Sequence, residues 1–251
     1  MGIHQEQSLL RLGERLDDLQ CGGLRIIQNP VGFCFGLDAL LLADFARIEE
    51  GHRVIELGTG SGVVPLLLSQ RSRAAELIGV EGHADTADRA RRSVAWNGLQ
   101  ERISIRTLDV REAAAVLGMG AFDVVLANPP YGKRPQGRAV PANGERAMAR
   151  FEMEGVLADW MAATAALLRE GARAYFVYSV SRAQEVLCEM HRAGLSPASM
   201  QEIYDRPGVA AKLCRLSARK GSAAFEDLAP LVLRDEQGQP NDAWRRLYRE
   251  P

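Results

Sequence analysis

The chain has 251 residues, with 31 Lys and Arg against 32 Asp and Glu, 47% hydrophobic residues and 25% charged ones. That length suits one large α/β domain, and the ordinary globular composition excludes a disordered, collagenous or coiled-coil chain. A formal net charge of −1 excludes a histone-like polycation, so any nucleic-acid surface has to be a local patch.

Cys21, Cys34, Cys188 and Cys214 form no C-x-x-C pair, and His4, His52, His83 and His191 are equally scattered. No disulfide framework and no metal site is expected. The polar start Met1-Gly2-Ile3-His4 is unlike a secretory signal. Apolar stretches such as Met161–Leu168 are far shorter than the ~20 residues that span a bilayer. A cytoplasmic monomer with no membrane partner is expected.

In chain order, Leu9, Leu12, Leu16 and Leu19 recur at helical spacing and predict an amphipathic helix over Ser8–Leu19. Cys21-Gly22-Gly23 turns the chain into extended Leu24–Ile27, and Asp38 stands where a helix N-cap would precede Ala39–Phe45. From residue 53 strands and helices alternate. Strands are expected at Arg53–Leu57, Glu76–Glu81, Ile103–Asp109, Phe122–Ala127, Ala172–Tyr178, Ser199–Tyr204 and Leu213–Ala218. Helices fall between them, through Gln70, at Ala84–Asn97, weakly at Glu112–Leu117, at Glu154–Leu168 and at Arg182–Ala193. This alternation predicts a doubly wound, mostly parallel, seven-stranded sheet of Rossmann-like kind. Residues 51–251 would form that body and residues 1–50 an N-terminal extension packing on its ligand site. Gly132–Arg150 resists assignment, and a loop of that length is usually functional or disordered.

Glu56-Leu57-Gly58-Thr59-Gly60-Ser61-Gly62 lies where a strand becomes a helix. Its glycines allow positive φ and close approach of backbone to a ligand. Glu81 ends the next strand, where a carboxylate accepts hydrogen bonds from a ribose diol. Taken alone, the glycines also suit a plain tight turn. The spacing is G-x-G-x-G, not the dinucleotide G-x-G-x-x-G, and Glu56 would repel a pyrophosphate. S-Adenosylmethionine carries an ammonium and a sulfonium and no phosphate. Asp109 ends the third strand, placed either to accept from the adenine amino group of that ligand or to cap the turn that follows.

Asn128-Pro129-Pro130-Tyr131 follows an apolar strand, and its two prolines force the chain out of the sheet. In a doubly wound sheet the first and fourth strands are neighbours, so Asn128 should face the glycine loop across one crevice. The Asn128 side-chain oxygen and the Pro129 carbonyl can each accept an N–H of a conjugated amino group and aim its nitrogen at a methyl group. The prolines, Pro130 included, hold those acceptors rigid. Tyr131 offers a face for stacking a planar substrate.

These residues resemble the N-P-P-Y group of class I S-adenosylmethionine-dependent methyltransferases. The runs Glu14–Gln20, Gly23–Gln28 and Gly32–Ala39 narrow the likeness to the bacterial tRNA (adenine(37)-N6)-methyltransferase family that acts on a valine tRNA. The resemblance implies that Glu56, Gly58, Thr59 and Gly60 hold the methionine end of the cofactor, Glu81 its ribose and Asp109 its adenine. It implies further that Asn128, Pro129, Pro130 and Tyr131 form the catalytic set, with Asn128 also lining the cofactor site. Gly36 and Asp38 would belong to a segment closing over the cofactor, with S-adenosylhomocysteine as product.

Two basic clusters suggest an RNA surface. Lys133, Arg134, Arg138, Arg146 and Arg150 face one anion, Glu145, in the loop after the motif. Arg206, Lys212, Arg215, Arg219 and Lys220 face one anion, Asp205, near the C-terminal strands. Phosphate positioning beside a base pocket is the expected use, foremost for Arg206, Lys212 and Arg215 in the second cluster. The alternative acceptor is a protein glutamine, as in release-factor N5-methyltransferases, because the motif serves a carboxamide nitrogen equally well. Those enzymes carry a larger helical N-terminal domain. A non-catalytic binding module would have no need of amino-group acceptors.

Overall fold

The computed structural model describes residues 9–31, 34–130, 132–133, 151–152 and 156–248. Its first element is a hairpin, β1 (Arg15–Asp18) and β2 (Arg25–Gln28), paired antiparallel with Leu16 opposite Ile27. The expected helix over Ser8–Leu19 is therefore corrected, with residue 8 outside the described set. Gly13 adopts φ +83°, which breaks a helix at its centre, and the Gly22-Gly23 turn (φ +59° and +74°) returns the chain to pair with β1.

After the hairpin come α1 (Leu37–Phe45), β3 (Arg53–Leu57), α2 (Val63–Arg71), β4 (Glu76–Glu81), α3 (Ala84–Trp96), β5 (Ile103–Thr107), a 3-10 turn at Val110–Glu112, α4 (Ala113–Leu117) and β6 (Phe122–Ala127). Short β7 (Gly132–Lys133) and β8 (Phe151–Glu152) pair with each other; the loop between them lies outside the described residues. The chain continues through α5 (Val156–Leu167), β9 (Leu168–Ser179), α6 (Ala183–Arg192), β10 (Leu195–Tyr204), β11 (Leu213–Lys220), β12 (Glu226–Asp227), β13 (Leu231–Val232) and α7 (Asp242–Tyr248).

The main sheet runs β12-β10-β11-β9-β6-β3-β4-β5, with β13 also beside β10. Seven long strands form the expected sheet, and the two-residue β12 and β13 extend its edge. Strands β5, β4, β3, β6 and β9 are parallel, whereas β11 is antiparallel to both β9 and β10. Alternation along each strand feeds two cores. Val54, Leu77 and Val124 pack under α1, α2 and α3, while Ile55, Ile78 and Val125 pack under α4, α5 and α6. Burial on both faces accounts for the near-continuous apolar runs of β3, β4 and β6.

The hairpin is fastened to α3. The Ile27 amide donates to Ser93 Oγ (3.0 Å), and Asn97 bonds both the amide and the carbonyl of Arg25 (2.9 and 2.7 Å). Glu14, only 6% exposed, receives Arg92 at 2.5 and 2.7 Å and Arg89 at 3.3 Å. These two guanidiniums hold its carboxyl at a pKa of about 2, far below the ordinary 4.5. From β2, Gln28 Oε1 accepts the Phe35 amide at 3.0 Å, tying the hairpin to the segment that enters α1.

Candidate active site

The pairing register aligns the carboxyl ends of the strands. Leu57 lies opposite Ala127 on one side and Val80 on the other, and Glu81 lies opposite Thr107. The glycine loop, Glu81, Asp109 and Asn128 therefore emerge along one edge, as the switch-point argument requires.

Within the loop, Gly58, Gly60 and Gly62 all take positive φ (+67°, +57° and +86°). A Cβ at Gly60 would meet nothing within 4 Å, so the loop presents bare backbone to open space there. A Cβ at Gly58 would lie 2.3 Å from the Trp160 ring, and one at Gly62 3.4 Å from the Ala90 Cβ. The first glycine thus admits the indole of α5 and the third lets α3 approach.

Glu56 is 4% exposed and on the α1 side of the sheet, where its Oε2 accepts the Thr59 hydroxyl at 2.5 Å. Burial, with the neighbouring Glu81 and Asp38 carboxylates, pushes its pKa up to about 8, against the pull of the Thr59 hydrogen bond. Glu81 bridges the crevice mouth, accepting the Gly60 amide at 3.0 Å and the His83 amide at 2.9 Å. Asp109 accepts the Arg111 amide (2.9 Å) and is gripped by the Arg111 guanidinium (2.6 and 3.0 Å), which holds its carboxyl at about 2. It caps the 3-10 turn, one of the two placements left open by the sequence.

The decisive contact joins residues 90 apart. Asn128 Nδ2 donates to Asp38 Oδ2 at 2.8 Å. Asp38 is not the N-cap of α1, which is Gly36 without a side-chain cap bond. It lies in the first turn and reaches across to the motif. Gly36 makes room for this, since a Cβ there would stand 2.7 Å from Asp38 Oδ1. Because a carboxylate can only accept, it fixes which way the Asn128 amide is turned. Asn128 Oδ1 is left buried with no hydrogen-bond partner among the described residues. An acceptor in that state costs on the order of 1–3 kcal/mol unless a donor arrives. What it asks for is a hydrogen-bond donor.

A family model described as "Methyltransferase small domain" matches residues 36–165. A tRNA1(Val) (adenine(37)-N6)-methyltransferase from Aeromonas salmonicida is 30% identical over 213 residues, covering 84% of this chain and 87% of the relative. The chain belongs to this methyltransferase family. A relative of the same description from Actinobacillus succinogenes is 27% identical, covering 86% of this chain and 88% of its own. Among solved structures, a predicted O-methyltransferase from Agrobacterium tumefaciens superposes with a TM-score of 0.70 at 23% identity, covering 84% of this chain and 95% of that one. A geranyl diphosphate C-methyltransferase from Streptomyces coelicolor, solved with S-adenosyl-L-homocysteine, gives 0.53 at 14% identity over 73% of this chain and 76% of its own. These last two likenesses are of fold.

For a methyltransferase of this family the carboxylate-ringed loop fits the methyl donor and would repel a phosphate. Pro129 is buried and Pro130 half-buried after Asn128. Tyr131, Arg134, Arg138, Arg146 and Arg150 lie outside the described residues, as does the side chain of Lys133. Arg206 and Lys212 are exposed in the β10–β11 loop, at the carboxyl edge, because Leu213 pairs with Ser179 at the end of β9. Arg215 is a correction. It is 6% exposed and bonded to Asp44 (2.8 Å) and Gln201 (2.7 Å), so it is not part of that edge surface. Lys220 Nζ donates to the Ala165 carbonyl at 2.6 Å and Arg219 Nε to that of Gly171 at 3.0 Å, both at the opposite edge.

Two site residues escaped the sequence reading. Trp160 had no local signal, since an aromatic in an apolar helix reads as core. Gly79 had one, as an isolated glycine inside a strand marks close approach, and a Cβ there would strike Thr59 at 2.7 Å. No helix among the described residues is long and apolar enough to cross a membrane, and none of their His, Cys, Asp and Glu side chains cluster to hold a metal.

Proposed function

We propose that this chain methylates the exocyclic N6 of an adenine in tRNA, at position 37 of the anticodon loop, using S-adenosylmethionine. The observation that carries this reading is the buried Asn128 Oδ1, without a partner among the described residues, beside the carboxylate-lined glycine loop. When bound, the cofactor supplies an electrophilic methyl group on a sulfonium. Glu56 with the Gly58-Thr59-Gly60 backbone holds its methionine end, Glu81 its ribose, and Asp109, besides capping its turn and pairing with Arg111, its adenine. Gly36 and Asp38 close over it as part of the N-terminal extension, residues 1–50.

Asn128 Oδ1 and the Pro129 carbonyl each accept one N–H of the target amino group. That concentrates charge on a nitrogen whose lone pair is otherwise delocalised into the ring, and it fixes the line of attack. No strong base is required, because the proton becomes acidic only as the N–C bond forms and then passes to water. Tyr131 stacks on the base. An unpaired anticodon-loop adenine is already outside a duplex, which lowers the cost of extruding it. Lys133, Arg134, Arg138, Arg146, Arg150, Arg206 and Lys212 hold the flanking phosphates. Cofactor and base sites both come from one chain, so a monomer working in the cytoplasm suffices.

Relatives named for tRNA methylation favour RNA over a protein glutamine as the acceptor. The test is transfer of labelled methyl from S-adenosylmethionine to bulk tRNA and to release factor in parallel, with nucleoside analysis. N6-methyladenosine in tRNA is expected. Label on protein glutamine with unmodified tRNA overturns the reading.

A further inference from the structure

Away from the cofactor site, a cleft of about 650 Å³ opens on the α1–α3 face, between the C-terminal ends of α1 and α2 and the last helix, α7. Four arginines line it, Arg47, Arg71, Arg215 and Arg246, with one carboxylate, Asp44. Arg215 is stacked over the Phe45 ring (4.7 Å) and pairs with Asp44 Oδ2 at 2.8 Å. Arg246 reaches Asp44 Oδ1 at 3.2 Å although its side chain is 56% exposed. Arg71 donates to the Leu247 carbonyl at 2.5 Å. Arg47 is exposed and makes no ion pair among the described residues. Burial lowers the Arg215 pKa, and the positive charges of Arg246 and Arg47 lower it further, so these guanidiniums converge. Among the described residues, one carboxylate in the lining cannot balance four of them.

A structural anchor for α7 is complete with the Asp44–Arg246 pair and the Arg71 bond to Leu247, and Arg215 completes the Asp44 cluster. The exposed Arg47 is surplus to it, and Arg246 keeps half of its side chain open to solvent. Guanidinium forks suit phosphate oxygens, and several of them tracking one surface is how nucleic-acid backbones are positioned. Helix α1 measures the distance. Asp38, at its first turn, touches Asn128. Asp44 follows six residues later, which is about 9 Å along a helix axis. Arg47 stands just past the end of that helix, so a strand that leaves a base at Asn128 and follows α1 would come to the cleft.

We propose that this arginine cleft is a second phosphate-contact surface for the RNA substrate, receiving the backbone a few nucleotides from the methylated base. The proposal rests on RNA being the acceptor, as argued above. Its test is steady-state methylation of tRNA by Arg47→Glu and by Arg47→Glu with Arg246→Glu, over a series of salt concentrations. Melting temperature and cofactor affinity are followed alongside. The expected result is a KM for tRNA raised roughly 5- to 10-fold in the double variant, a shallower salt dependence by about one unit of slope per lost contact, and kcat and cofactor affinity unchanged. Because Arg246 also braces α7, Arg47→Glu alone, with an unaltered melting temperature, has to show the same trend. Unchanged KM and salt slope in both variants, with the parent enzyme methylating tRNA, overturns the cleft but not the function. A parent enzyme that leaves tRNA unmodified overturns both.

Discussion

At the residue scale the proposed mechanism divides the work between Asn128, which faces the substrate in it, and Asp38, whose bond decides which atom Asn128 shows. Asn128→Ala is expected to lower the methylation rate by about 10²-fold or more with cofactor affinity nearly unchanged, on the scale of a lost preorganised acceptor; single-turnover rates and calorimetry check this. Glu56 gives a pH signature. Its folded pKa of about 8 stands above the ordinary 4.5, so between those values the folded protein keeps a proton that the unfolded chain releases. Stability from this group therefore falls as pH rises through that window. If Glu56 receives the cofactor's ammonium, as proposed, the ionised form is required, so binding at pH 7 should release a proton and tighten as pH approaches 8. Calorimetry in two buffers of different ionisation enthalpy measures that release, and Glu56→Gln should abolish it. Gly58→Val combines a left-handed φ with a clash against Trp160. It should cost on the order of 2 kcal/mol or more in a denaturant melt, besides blocking the cofactor.

At the scale of elements, the N-terminal hairpin hangs on α3 through Glu14. Its depressed pKa means that the stabilisation is present above the ordinary 4.5 and is lost as pH falls toward about 2. Glu14→Gln leaves Arg89 and Arg92 without their shared carboxylate and should cost about 3 kcal/mol at pH 7, read from chemical denaturation. How legible this region was depended on the range of its contacts. β3, β4 and β6 lie where their apolar runs placed them, because a strand buried on both faces announces itself locally. The hairpin did not, because Leu9, Leu12, Leu16 and Leu19 mimic a helix, and only the antiparallel return of Ile26 and Ile27 shows that Gly13 ends any such run. The stretch after Lys220 carried too little periodicity to reveal β12, β13 or α7, which are held by packing against distant β10 and α1.

Over the whole molecule, chemistry was more legible than charge. The glycine loop, Glu81 and Asn128 meet because strand order follows from the alternation of elements, so position along the chain translated into position in space. A count of cations carries no such translation. Arg206 and Lys212 sit at the carboxyl edge, Arg219 and Lys220 at the other, and Arg215 between them faces Asp44, which is 171 residues away in sequence. The two classes should separate in experiment. Arg206→Glu with Lys212→Glu is expected to weaken tRNA binding in a filter assay while the melting temperature holds. Arg215→Met should instead lower stability by about 2 kcal/mol or more, since Asp44 loses its buried partner.

The bond from Asn128 to Asp38 also bears on which purines the enzyme can refuse. With its amide locked, Asn128 offers a lone pair at Oδ1 to whatever ring edge enters. An adenine answers with a proton, whereas inosine or guanine presents a carbonyl oxygen, so like faces like. Keto purines would be turned away without any editing step. Releasing the lock by Asp38→Asn would let the amide rotate and blur that distinction, and the enzyme would then hold an inosine-bearing anticodon loop as a competitor of its own substrate.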